Sequence, residues 1–364
     1  MKGNENVNRI SMIKQYVDKI IENIASTEER KNAYIHTYGV AQCCSIIAGR
    51  RGLNSELSYI CGLLHDIYAY YTGSYLCHAQ SGADMARVAI RNMNIFSDAE
   101  KILILSAIYY HSNKEIIHDE YDEVLKDADI LQRFLNDSCS QISYLAVPRL
   151  NKILDEFKIT AIPTEYIREQ EKSMEKMFKK SVFADIAEEI AVKRISGERD
   201  SKFYMDIIKY YPEATAFDEL RNGWCAAFVY HCAIIAGLEL PIRLPPFQYR
   251  FAGVGTWYEW GKSSDLCFYD KDGFVPSRGD IVIYNNIIPP NNKPKGPWHD
   301  HIGIVLSCES EFIVVAEGCI DNQNVSGVIK RKRDNTIGCF VRIPDGFKYD
   351  GWKYDYKAYL KQAL

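Results

Sequence analysis

The chain has 364 residues, of which 47% are hydrophobic and 25% are charged, and its formal net charge is −4. This length suits two domains, and the composition is ordinary for a globular protein. The weak negative charge gives no general attraction to nucleic acid or to anionic membranes, and no run of 18 apolar residues predicts a membrane span. We therefore expect neither a membrane nor a nucleic acid among the partners.

The N-terminal segment, up to residue 24, is typical of an amphipathic helix. Apolar residues recur at helical spacing, but Lys14 and Asp18 interrupt them, unlike the uninterrupted apolar core of a secretory signal. We therefore expect a cytoplasmic protein. The eleven cysteines, which include no C-x-x-C pair, are expected to be reduced thiols.

Histidines and aspartates recur at buried helical positions in the first half of the chain. His36, His65 and His111 each lie four residues from an apolar residue of a helical stripe, and Asp129 does the same. Asp66 follows His65 directly and would lie about 100° around the same helix. Inward-facing groups of this kind are tolerated when they converge on a metal ion, which supplies the missing charge.

Three segments carry a family resemblance: "AYIHTYGVAQCCSIIA", "ICGLLHDIYAYY" and "VLKDADILQRF". They resemble the HD-domain metal-dependent phosphohydrolases over about residues 30–135. The resemblance implies an all-α helical bundle, a role in catalysis for Asp66, and the metal ligands His36, His65, Asp66 and Asp129. Helical spacing alone also allows Asp127, but the family's Ala-Asp step favours Asp129.

Two further segments, "CHAQSGADMA" and "AIYYHSN", resemble HD hydrolases that act on dinucleoside polyphosphates. The resemblance adds His78 and His111 as ligands of a second metal. We expect one or two divalent transition ions, either Fe, Mn, Co, Ni or Zn, because mixed imidazole and carboxylate ligation suits all of them. The expected substrate is a nucleotide or a related phosphoester or phosphoanhydride.

The sequence changes character towards its C-terminal half. A charged helical stretch over 165–200 is either a late helix of the first domain or a connector. The polar segment 196–202 is a plausible boundary, so we expect domains at 1–200 and 201–364. From about residue 240, Pro, Gly, Asn and aromatic residues become dense and short β-like runs appear, which predicts an α+β domain.

A second set of reactive residues lies in this half. A helix is predicted from Cys225 to Ala236, so Cys225 lies in the first turn, where the helix dipole stabilises a thiolate. The segment "DHIGIVLSCESEFIVVAEGC" predicts a β-hairpin, and a turn centred near residue 309 places His301 opposite Glu317. Cysteine, histidine and acid together are the arrangement of a covalent amide hydrolase. His299 is a weaker rival for the base.

The segments "WCAAFVYHCAIIAG", "PSRGDIVIYN" and "DHIGIVL" resemble the CHAP cysteine amidases and peptidases, within the NlpC-type papain-like group, over about 205–345. The resemblance implies a papain-like fold with a small antiparallel sheet and no cofactor. It assigns Cys225 as the nucleophile, His301 as the base and Glu317 as the third member. Where relatives often carry Asn, two positions after the acid, this chain has Cys319. The implied substrate is a peptide or peptidoglycan-like amide.

These patterns predict a two-domain hydrolase, with a metal-dependent phosphohydrolase followed by a cysteine amidase. A nucleotide-sensing HD module that controls a cysteine-hydrolase effector is the first alternative. A peptidoglycan-cleaving lysin, possible for a phage protein, is another, and a binding module with decayed sites is the last. The basic run at 330–333 is either a solvated sheet edge, which we favour, or a contact for an anionic ligand.

Overall fold

The computed structural model describes residues 8–136, 146–160, 177–221, 223–245, 249–289, 299–351 and 354–363. Met1–Met174 and Gly351–Leu364 form one compact unit, and Glu175–Asp350 form the other. The second unit is therefore an insertion within the first. The sequence led us to expect a single boundary near residue 200, and the packing differs from this at both ends.

The first unit is helical, in agreement with the sequence. Its helices before the insertion are α1 (Arg9–Glu22), α2 (Thr27–Arg50), α3 (Ser55–Leu64), α4 (Ile67–Thr72), α5 (His78–Met93), α6 (Asp98–Tyr110), α7 (Glu120–Asn136) and α8 (Val147–Phe157). Side-chain caps define several of the starts. Asn54 accepts a hydrogen bond from the Leu57 amide at 3.0 Å, and Ser97 forms a capping box with Glu100.

A close crossing of α2 and α3 brings the first candidate ligands together. A Cβ atom on Gly62 would lie 2.5 Å from the Cα of Ala41, so only glycine lets the two helices approach this closely. His36 lies on α2 and His65 directly follows α3. The crossing therefore sets the distance between these two histidines.

The His65–Asp66 doublet interrupts the helix that the sequence predicts as continuous. Helix α3 ends at Leu64, and Asp66 leaves the helical conformation (φ −110°, ψ 11°) before α4 begins. In a continuous helix the two side chains would diverge by about 100°. The break instead lets both side chains face the same buried site.

The second unit contains an antiparallel sheet and flanking helices, as the sequence predicts. The strands, in the order β1-β6-β2-β3-β4-β5, are β1 (Cys267–Phe268), β2 (Ile281–Asn285), β3 (His299–Cys308), β4 (Phe312–Glu317), β5 (Gly327–Lys332) and β6 (Ile337–Val341). The helices are α9 (Lys180–Ala191), α10 (Lys202–Ile208), α11 (Ala216–Leu220), α12 (Cys225–Ile235) and α13 (Val254–Ser263). Central strands β2 and β3 are almost wholly buried, which explains their continuous apolar runs.

Helix α9 accounts for the difference at the first boundary. The charged stretch predicted over 165–200 lies partly outside the described residues, since 161–176 are not among them. The described part, α9, buries Phe183 and Ala187 and packs against β3, β4 and β5. It therefore belongs to the second unit.

The C-terminal segment accounts for the difference at the other end. Helix α14 (Tyr356–Ala363) packs against α6 of the first unit, and Leu360 is fully buried. The Tyr110 hydroxyl donates a hydrogen bond to the Tyr354 carbonyl at 2.7 Å, and the Tyr109 ring stacks on Tyr356 at 4.0 Å. The end of α6, where His111 follows, is thus supported by residues distant in sequence.

None of the helices among the described residues combines the length and the hydrophobicity needed to cross a bilayer.

The crossing at Gly62 gives a stability prediction. Gly62→Ala should lower the free energy of unfolding by about 1–3 kcal/mol, because the added methyl group pushes α2 and α3 apart. Gly82→Ala is the matched control, since its Cβ would meet its nearest neighbour at 3.4 Å, an ordinary contact. Urea denaturation of both variants measures the difference, and a Gly62→Ala variant as stable as wild type would contradict the prediction.

Candidate functional site

Four histidines and one aspartate from separate elements meet in the first unit. His36 comes from the middle of α2, His78 begins α5, and His65 and His111 directly follow α3 and α6. Asp66 lies between α3 and α4. His65, Asp66 and His111 are buried, which agrees with the inward faces that the sequence predicts.

Asp66 lies between two pairs of histidines. Its Oδ2 atom is 3.3 Å from His65 Nε2 and 3.6 Å from His36 Nε2. Its Oδ1 atom is 3.3 Å from the Nε2 atoms of both His78 and His111. Two groups of potential metal ligands result, and they share this one carboxylate.

The second nitrogen of each histidine is held by an oxygen that faces its Nδ1 atom. The Nδ1–oxygen distances are 2.6 Å for His36 and Gln132 Oε1, 2.8 Å for His65 and the Gly62 carbonyl, 2.8 Å for His78 and the Tyr75 carbonyl, and 2.7 Å for His111 and the Ile108 carbonyl. Because a carbonyl oxygen only accepts, Nδ1 must carry the proton. A neutral ring then presents its Nε2 lone pair to the site, as in metal-ligating histidines.

This arrangement fits a cation. The Nε2 atoms of His36 and His65 are 3.2 Å apart, as are those of His78 and His111. When the rings are neutral and Nδ1 carries the proton, each pair brings together two lone pairs that cannot hydrogen-bond to each other. The buried Oδ1 atom of Asp66 has no hydrogen-bond partner in the part of the chain that the structure describes. A divalent ion on either side of Asp66 would satisfy both conditions, and the donor set of imidazole and carboxylate suits a transition metal.

The charges at the site also favour a cation. Burial alone would raise the pKa of Asp66, but His65 and the other histidines hold it well below its usual range. Burial lowers the pKa of His111 to about 4, so this ring is neutral at pH 7. Burial also opposes the charged form of His36, but Asp129 and Asp66 raise its pKa to about 9. Metal binding would therefore displace a proton from His36.

The structure places Asp129, not Asp127, next to these ligands. Asp129 Oδ1 is 3.3 Å from His36 Nε2. Its carboxylate also contacts Lys114 Nζ at 2.6 Å and Arg133 Nε at 3.1 Å, two cations that the sequence analysis missed. Asp127 instead pairs with Arg51 and Arg149, each at 2.7 Å.

A cavity of about 1010 Å³ opens beside this cluster. Its lining includes His36, Asp66, His78, Lys114, Asp129 and Arg133. The wall therefore presents potential metal ligands next to two basic side chains, an environment suited to an anionic group.

The second unit brings together the residues of the predicted cysteine site. Cys225 is the first residue of α12, and the end of β4 passes close to this helix. A Cβ atom on Gly318 would lie 2.4 Å from the Cβ of Phe228, so glycine permits the approach. Glu317, directly before this glycine, is fully buried.

The predicted pairing of His301 with Glu317 across the hairpin is wrong, although the two side chains do meet. The strands pair Ile304 with Ala316, and a bulge follows Val305. Continuing this register places Gly303, not His301, opposite Glu317. The offset of two residues keeps both side chains on one face. Because Gly303 has no side chain, Glu317 extends across it, and His301 Nε2 donates a hydrogen bond to Glu317 Oε2 at 2.9 Å.

The Cys225 thiol also affects the His301 imidazole. Burial lowers the pKa of His301, but Glu317 and Cys225 outweigh it and raise this pKa to about 10. His301 Nδ1 forms no hydrogen bond to other groups of the described chain. The imidazole that Glu317 holds is thus close to the Cys225 thiol.

Arg331 is a neighbour of this site that the sequence analysis missed. Within the basic run at 330–333, Lys330 is exposed and pairs with Glu309, as expected for a solvated edge. Arg331 turns the other way, and its Nη2 donates a hydrogen bond to Glu317 Oε2 at 2.6 Å. The alternation along a strand separates these two neighbours.

Cys225 opens onto a cleft of about 860 Å³, whose lining includes Glu213, Arg250, Tyr258 and His299. The His299 Nδ1 atom lies 2.6 Å from Asn285 Oδ1, and its ring packs against Tyr258. His299 therefore lines the cleft, and the contact with Glu317 belongs to His301.

Comparison with known proteins finds a family match within the first unit. Residues 33–133 match the HD domain family. The N-terminal helical region therefore contains an HD domain. A similar solved structure is that of a predicted HD superfamily hydrolase from an uncultured Thermotogales bacterium, with 21% identity, a TM-score of 0.28, and coverage of 40% of this chain and 88% of that one. No curated protein matches the chain. The papain-like character of the second unit stays a prediction.

The contact between His36 and Gln132 gives a prediction for the HD domain. Gln132→Leu should weaken binding of Mn²⁺ by about 10–100-fold, because His36 loses the oxygen that fixes its Nδ1 proton. Gln132→Glu keeps an acceptor oxygen and should bind close to wild type. Calorimetric titration of metal-free protein measures both affinities, and equal binding by wild type and Gln132→Leu would contradict the prediction.

Proposed function

We propose that the HD domain is a metal-dependent phosphohydrolase that acts on a nucleotide or a related phosphoester or phosphoanhydride. The observation that carries this proposal is the carboxylate of Asp66, which lies between two histidine pairs whose Nδ1 atoms are all engaged. The Ser112 hydroxyl, 3.1 Å from His78 Nε2 and 3.3 Å from His111 Nε2, can donate to only one of these lone pairs. A cation accounts for the lone pairs that remain.

The proposed ligands fall into two groups around Asp66. His36 and His65 would hold one ion with Asp66, and His78 and His111 would hold a second ion with the same carboxylate. A divalent ion supplies Lewis-acid stabilisation of the charge that develops on the phosphoryl oxygens. Asp129 Oδ1 is 3.3 Å from His36 Nε2, the atom that would bind the first ion, so Asp129 would be a further ligand of that ion. Its two cation partners, Lys114 and Arg133, lie at the cavity wall.

The basic residues at the cavity wall support a phosphorylated substrate. Lys114 and Arg133 are both paired with Asp129, which leaves one net positive charge on the three side chains. Phosphate oxygens are acceptors for both ammonium and guanidinium groups. These residues would bind the phosphate and orient it towards the ligands of Asp66.

A panel of nucleotides and phosphoesters tests this proposal. Asp66→Asn should lower the rate of phosphate release by at least about 100-fold and reduce bound metal, since both ligand groups lose their shared carboxylate. Asp127→Asn is the matched control, because it makes the same change at a buried carboxylate outside the site. Metal analysis by mass spectrometry accompanies each assay. A wild-type protein without metal or phosphatase activity would refute the proposal.

We also propose that the second unit is a cysteine amidase or peptidase. The contact of His301 with Glu317, and the effect of Cys225 on the same ring, support this role. The Cys225 thiolate would attack the amide carbonyl, and His301 would pass its proton to the leaving amine. Water would then hydrolyse the thioester. The backbone amide of Cys225, at the start of α12, would donate to the oxyanion.

Alkylation by iodoacetamide tests this second role without a known substrate. At pH 7 Cys225 should react at least about tenfold faster than the more accessible Cys308, because the neighbouring His301 imidazole can take the proton of the Cys225 thiol. Mass spectrometry of peptides gives both rates from one sample. On a panel of peptides and peptidoglycan fragments, Cys225→Ser should be inactive. Cys232→Ser, the same change at a buried position of the same helix, should retain wild-type activity.

Equal alkylation rates for Cys225 and Cys308 would refute the nucleophile. The alternative of a nucleotide-sensing HD domain that controls the cysteine hydrolase uses the same residues. It differs in one measurable respect, since a nucleotide would then change the rate of amide hydrolysis.

A further inference from the structure

The basic side chain beside the cysteine site is held by a specific geometry. Arg331 lies on β5 opposite Ile313, whereas Glu317 lies opposite Gly327. The guanidinium therefore reaches along the sheet face to the carboxylate. Arg331 Nε donates a hydrogen bond to Glu317 Oε1 at 3.0 Å, and Nη2 donates to Oε2 at 2.6 Å.

Both oxygens of Glu317 are consequently engaged. Oε2 receives His301 Nε2 as well as Arg331 Nη2, and Oε1 receives Arg331 Nε. This two-point contact fixes the plane of the carboxylate, because the guanidinium fork is rigid. The carboxylate and His301 are both fully buried, so water does not compete for these contacts.

We propose that Arg331 is a positioning residue of the cysteine site, which holds Glu317 ionised and oriented towards His301. This inference rests on the proposed amidase function. Arg331 does not itself touch the thiol or the cleft. It acts through Glu317, and its effect is on the orientation and charge of the His301 imidazole.

The effect of removing Arg331 depends on the other groups that face His301 and Glu317. Asp321 Oδ1 forms an ion pair with Arg331 Nη2 at 2.9 Å, and the Tyr284 ring lies near both His301 and the guanidinium. Cys225 faces His301 from α12, and Cys319 follows the end of β4. In this group Arg331 supplies the permanent positive charge.

Loss of this charge has a definite sign. Without Arg331, Glu317 loses two hydrogen bonds and a neighbouring positive charge, so its pKa rises and it supports the imidazolium form of His301 less well. The thiolate would therefore form at higher pH. The carboxylate would also lose its fixed plane, which loosens the orientation of the imidazole.

The pH dependence of Cys225 alkylation in the full chain tests the inference. Arg331→Met should shift the acid limb of the rate profile to higher pH by about one unit. At a fixed pH on that limb, the variant should therefore react roughly tenfold more slowly than wild type. Arg331→Lys keeps the positive charge but loses the forked guanidinium. Its acid limb should therefore lie between those of wild type and Arg331→Met. Arg333→Met is the matched control on the same edge, since Arg333 pairs with Asp270 away from the site, and its profile should match wild type.

Arg331→Gln is a second neutral variant, and it carries the same expectation if Arg331→Met does not fold by circular dichroism. The inference would be overturned if Arg331→Met and Arg331→Gln showed the wild-type pH profile of Cys225 alkylation. It would also be overturned if Arg333→Met shifted this profile as much as they do. A wild-type Cys225 no more reactive than Cys308 would instead refute the amidase proposal itself, so the two failures are distinguishable.

Discussion

The buried carboxylate of Asp66, placed between two histidine pairs, is the constraint on which the first unit depends. A buried carboxylate with two buried imidazoles, next to two partly exposed imidazoles, is unfavourable unless a cation holds the group together. Several features of the fold maintain this arrangement. The crossing at Gly62 sets the distance between α2 and α3, the helix break turns Asp66 inward, and α14 supports the end of α6. Each acts on the backbone of a ligand.

The second unit also buries a carboxylate, but a different group compensates its charge. Glu317 and His301 are both buried, and the acid is compensated by Arg331 rather than by a metal. Here too a glycine permits the decisive contact, since a Cβ on Gly303 would lie 2.9 Å from the Cγ of Glu317. In both units, a polar group is tolerated in the interior because its charge is matched at short range.

Much of the candidate metal site could be predicted from the sequence, because helical spacing fixes which side chains face inward. His36, His65, His111 and Asp129 follow this rule, whereas His78 was predicted only from the family resemblance. The break at Asp66 could not be predicted, since the surrounding residues all favour a helix. The hairpin register failed because the turn is centred between Ser310 and Glu311, not near residue 309, since Cys308 pairs with Ile313. The bulge after Val305 shifts the pairing back by one residue, so the remaining offset is two residues and the side chains kept their face. Arg331 and Lys114 were missed because their long side chains reach partners on other segments of the chain. Arg133 lies four residues after Asp129 on the same helix, so helical spacing could have identified that pair.

The most direct test of the central claim is anomalous diffraction from a crystal soaked in Mn²⁺. The account predicts anomalous density within bonding distance of Asp66, on the side of His36 and His65, on the side of His78 and His111, or on both. Density that lies elsewhere, or a site without density at saturating Mn²⁺, would contradict the claim that this carboxylate and these histidines hold a metal.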